Sequence, residues 1–69
     1  MTLIRSLTHQ GHTHRFVIAP DAQGWQVREE EDATVLWHMH RHDWHRVEID
    51  EQVFALKAET LVHQGWLKV

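Results

Sequence analysis

The chain is 69 residues long, carries a formal charge of −3 with histidine neutral, and contains no cysteine, eight histidines and four tryptophans. That length leaves room for one domain, whose core supplies only about 3–5 kcal/mol unless oligomerisation or a metal adds to it. The missing cysteines exclude disulfides and thiolate metal sites, and the net acidity disfavours unaided binding to a phosphate backbone, which needs clustered lysine and arginine.

The first two segments read as a β-hairpin around Gln10-Gly11, where glycine supplies the positive φ of a tight turn. A two-residue loop places Leu3 opposite Ile18, Arg5 opposite Phe16 and Leu7 opposite His14. Leu3, Leu7, Phe16 and Ile18 then share one face; Ile4, Ser6, Arg15 and Val17 share the other. A slip by one residue would scatter the first set, so the register is well specified. The connection Ala19 to Gly24 contains the only proline, Pro20, and is expected to end the second strand.

A third strand is expected from about Trp25 to Glu29 and a fourth from about Thr34 to His40. A three-residue loop, Glu31 to Ala33, opposes Trp25 to Met39 and Val27 to Trp37, and is preferred because it forms apolar cross-strand pairs. The core face then gains Trp25, Val27, Val35, Trp37 and Met39, and the outer face shows Gln26, Arg28, Leu36, His38 and His40.

From Asp43 onward the apolar spacing changes to that of a helix. Asp43 is a good N-cap and Gly65 a good residue to follow the C-terminal end, which predicts a helix over Trp44 to Gln64. Trp44, Val47, Phe54, Ala55, Ala58, Leu61 and Val62 form a broad stripe that should cover the sheet, with Trp66 and Leu67 tucked beneath. The expected fold is therefore α+β: a four-stranded antiparallel meander followed by one long C-terminal helix packed on one face.

Ile49, Val53 and Leu56 form a second stripe on the side of the helix away from the core. Scattered surface apolars are common, but the spacing also fits a homodimer seam, which would stabilise so small a chain. The histidine run His38-Met39-His40-Arg41-His42 alternates at strand spacing, so its imidazoles project on one side about 6.5–7 Å apart. His38, His40 and His42 are accordingly candidate ligands for a divalent ion such as zinc, beside the plainer reading of a polar sheet face. His12 and His14 repeat the pattern on a strand that is not a neighbour of the fourth, so the two sets should not converge. The acidic run Glu29 to Asp32 reads first as a solvated hairpin tip, and otherwise as a surface for a basic partner.

Nothing marks an enzyme. Ser6 is the only serine and has no nucleophile-elbow motif around it; no phosphate-binding glycine loop is present. No cofactor is expected. No apolar run approaches the ~20 residues of a membrane span, and Met1 to Ser6 lacks the apolar core of a signal peptide, so a cytoplasmic protein without membrane contact is the expectation.

Gly24-Trp25-x-Val27-x-Glu29, Asp43-Trp44-His45-Arg46-Val47-Glu48 and Gly65-Trp66 together resemble the pattern of short uncharacterised bacterial proteins, which implies a stand-alone fold and no particular chemistry. Four strands followed by a helix is also similar to the Whirly and PUR-type single-strand nucleic-acid-binding modules. That likeness implies binding through the outer sheet face, here Arg15, Arg28, His38 and His40. The leading expectation is a non-enzymatic interaction module, a homodimer whose outer sheet face or acidic hairpin docks a macromolecular partner, in an inhibitory or regulatory role. Single-strand nucleic-acid binding and histidine-based metal binding are the alternatives.

Overall fold

The computed structural model describes residues 2–69. Strands β1 (Leu3–His9), β2 (His12–Asp21), β3 (Gly24–Glu31) and β4 (Thr34–Arg41) precede helix α1 (Trp44–His63) and a short β5 (Leu67–Lys68). They form an antiparallel sheet in the order β4-β3-β2-β1-β5, with α1 packed across one face. The fold is the expected α+β meander and helix, with β5 added at one edge.

The first hairpin has the register expected from its alternation: Leu3 faces Ile18, Arg5 faces Phe16 and Leu7 faces His14. Gln10 and Gly11 both have positive φ, 51° and 82°, as a two-residue turn that follows the twist of its strands requires.

The second hairpin departs from expectation. Its turn is Asp32-Ala33, with φ of 50° and 67°, rather than a three-residue loop. Trp25 faces Arg41, Val27 faces Met39 and Glu29 faces Trp37; the register then shifts, so that Glu30 faces Val35. Leu36 is the extra residue of this bulge, and the shift carries Val35 to the outer face, away from the core side expected for it. Alanine in the left-handed region gives no local signal of a turn. Bonds from outside the hairpin hold it: Asp32 N–H donates to Thr13 O (2.9 Å), and the Asp32 carboxylate accepts from Thr13 N–H (2.9 Å) and meets His12 Nδ1 (2.6 Å).

The core lies between α1 and the sheet and consists of Leu7, Phe16, Ile18, Val27, Val47, Phe54 and Ala58. Leu3, Trp25, Trp37, Leu61 and Trp66 pack around it, half-buried. The Phe16 and Phe54 rings lie 4.8 Å apart at its centre. Each such side chain contributes about 1.5–3 kcal/mol by leaving water. The buried stripe of α1 is narrower than expected, because Trp44, Ala55 and Val62 remain exposed at its margins. Met39 is on the helix side but 46% exposed, because it lies on the terminal strand of the sheet. Val17 is buried on the outer face, between its cross-strand neighbours Ile4 and Arg28.

Asp43 caps α1 by accepting from His45 N–H at 3.0 Å. Beyond the helix, Trp66 N–H returns to Leu61 O (3.0 Å) around Gly65, whose φ of 101° suits glycine. Trp66 packs beside His9 and His14, whereas Leu67 stays exposed rather than tucking beneath the helix.

Candidate functional site

The expected seam residues Ile49, Val53 and Leu56 are 44%, 40% and 66% exposed, so this stripe takes no part in the core. Asp50 beside them is buried and bound in bidentate fashion by Arg41, from Nε at 2.9 Å and Nη2 at 3.1 Å. That bond raises the Arg41 pKa further and ties the end of β4 to α1. Phe54 packs against Trp37, one turn further along α1 and four residues back along β4. The helix therefore runs antiparallel to β4, with Ile49, Val53 and Leu56 on its solvent side.

The outer sheet face is less cationic than its composition suggests. Glu30 accepts from Arg28 Nε at 2.6 Å and lies 3.8 Å from Arg15 Nη1, so one carboxylate holds both arginines. His40 Nε2 meets the Asp21 carboxylate at 2.9 Å, and His38 stands exposed opposite Arg28. Three of the four residues expected to bind nucleic acid are thus already paired with acids.

His38, His40 and His42 are not gathered around one point. His40 and His42 rings meet edge to face at 4.5 Å, but His42 Nδ1 is directed to Gln23 O (3.1 Å) and His40 to Asp21. Among the described residues, no group of three histidine or acidic side chains gathers where it could hold a metal.

A cluster that sequence reasoning missed lies under the other half of α1. Glu29 is 8% exposed and His14 7%. Glu29 Oε1 accepts from Trp37 Nε1 (3.0 Å) and Lys57 Nζ (2.9 Å), and its Oε2 meets His14 Nε2 (2.7 Å). Burial pushes the Glu29 carboxyl up, but the bonds from Lys57, His14 and Trp37 outweigh it and hold the pKa below the ordinary value. An open cavity of about 260 Å³ adjoins the cluster, lined also by Phe16, Thr60, Leu61 and Gln64. Through these bonds Glu29 ties β2, β3, β4 and α1 together. The signal was present in the alternation, which carries Trp25, Val27 and Glu29 on one side of β3.

The histidine–carboxylate pairs make stability depend on pH in two opposed ways. Asp32 is held below its ordinary 3.8 by Thr13 N–H and His12, and Asp21 by His40 and Gln23 N–H; Glu29 is held below its ordinary 4.5. Their stabilisation is present above those values and lost as pH falls through the lowered ones. His12 is raised above 6.5 by its bond to Asp32, so its stabilisation is full below 6.5 and lost as pH climbs through the raised value. The melting temperature should therefore peak between pH 4.5 and 6.5 and fall on both sides. Thermal melts from about pH 3 to about pH 9 check this; a steady rise through neutrality would contradict the His12 contribution.

No protein-family model, curated protein or solved structure matches the chain. The likeness to Whirly and PUR-type modules rests on the order of strands and helix alone. No helix among the described residues is long and apolar enough to cross a membrane.

Proposed function

We propose that this chain is a small non-enzymatic interaction module that works as a homodimer. Ile49, Val53 and Leu56 form the helical part of its seam, and the pair docks a macromolecular partner through the outer sheet face or the acidic hairpin, as a cytoplasmic inhibitor or regulator. The observation that carries the reading is the exposed apolar strip on α1, beside a core too small to be strongly stable alone.

Val53→Glu should convert the dimer to a monomer of 8.3 kDa by light scattering. A carboxylate forced into the seam costs about 3 kcal/mol or more, about a hundredfold in dissociation constant. A wild-type chain that is already monomeric would overturn the proposal.

A further inference from the structure

We infer that the dimer forms by antiparallel pairing of β4 with the β4 of a second copy, about a two-fold axis passing through Met39 and Val53. This rests on the homodimer reading above and names its mode: two five-stranded sheets join into one, with both helices on the same side.

The edge itself is the first support. β4 ends the sheet, so among the described residues one side of its backbone has no strand partner, whereas β5 covers part of the opposite edge. Edge strands are ordinarily guarded by proline, charged side chains, β-bulges or a covering element, and β4 has Arg41, turned inward to Asp50, at its end. β4 has no proline or lysine, and its bulge lies near its start; from Trp37 to Arg41 the ladder is regular. It also exposes Val35, Leu36 and Met39, which are 47%, 51% and 46% accessible.

Symmetry is the second. A two-fold interface must be complementary to itself. The helix strip meets that condition, because Ile49 stands four residues before Val53 and Leu56 three after. An antiparallel copy sets Ile49 against the partner's Leu56, with Val53 at the centre. On the strand, Met39 lies midway between Arg41, which holds Asp50, and Trp37, which packs on Phe54. Met39 is therefore level with the helical turn that contains Val53. One axis through both residues centres the strand and the helix strip at once. It pairs Met39 with itself and Trp37 with the partner's Arg41, keeping helix-side residues opposite helix-side residues.

The test uses single-cysteine variants of the full chain, which has no cysteine of its own. Val35 and Met39 are almost equally exposed, so random collision would oxidise cysteines at the two positions alike. Across the proposed axis, residues 39 face each other within disulfide reach, while residues 35 are about 27 Å apart. Met39→Cys should form a disulfide-linked dimer about tenfold or more faster than Val35→Cys under native oxidation. Equal rates, with the wild type dimeric by mass, would overturn the strand pairing and leave the homodimer standing. So would rapid linkage of Val53→Cys without that of Met39→Cys, which marks a seam made by helices alone. A wild type of 8.3 kDa would remove the homodimer reading and the strand pairing together.

Discussion

Glu29→Ala should bring the chain close to its unfolding midpoint at 25 °C. The substitution removes the acceptor of three side chains from three other elements: His14 on β2, Trp37 on β4 and Lys57 on α1. The Trp37 indole N–H and the buried His14 ring lose their bonds, and a cavity opens beneath α1. Leaving the Trp37 and His14 ring nitrogens without this partner costs about 1–3 kcal/mol each, while Lys57, 46% exposed, turns to water. A single core of this length supplies about as much as the two together. Glu29→Gln should be milder, because the amide oxygen can still accept from Trp37 while the ion pair with Lys57 is lost. Urea titration followed by tryptophan fluorescence measures both. A Glu29→Ala chain within about 1 kcal/mol of wild type would mean that the cluster is not a tie between sheet and helix.

Phe54→Ala should have an effect of similar size by a different route. Phe54 is fully buried, 4.8 Å from the Phe16 ring and 6.0 Å from Trp37, and forms the middle of the face that α1 turns to the core. Loss of a buried phenyl group costs about 3–5 kcal/mol in transfer and cavity terms together. Phe54→Leu keeps most of the volume and should cost less than about 1.5 kcal/mol. The contrast separates packing from polar effects, because neither substitution touches a hydrogen bond. If Phe54→Ala melts cooperatively near the wild-type temperature, the core is not organised around the Phe16–Phe54 contact.

How far the sequence revealed this structure depends on how local each signal was. The Gln10-Gly11 hairpin was legible because one glycine and a strict alternation fix its turn and register together. The helix was legible from Asp43 to Gly65 because capping and apolar spacing agree. The Asp32-Ala33 turn was not, since its geometry is held by His12 and Thr13 about twenty residues away. The misplacement of Val35 followed directly from that turn. Glu29 and Asp50 were hidden for another reason: a carboxylate is ordinarily assigned to water, and only the folded chain brings His14, Trp37, Lys57 and Arg41 within reach. The exposed strip of Ile49, Val53 and Leu56 was visible from helical spacing alone. Its alignment with β4 required the contacts of Arg41 with Asp50 and of Trp37 with Phe54.

Sedimentation equilibrium of the unmodified chain most directly tests whether the β4–α1 flank lies against a second copy. At micromolar concentration the fitted mass should be twice 8.3 kDa, returning toward 8.3 kDa on dilution. A mass of 8.3 kDa at every concentration would show that flank open to water, contrary to the role proposed for it.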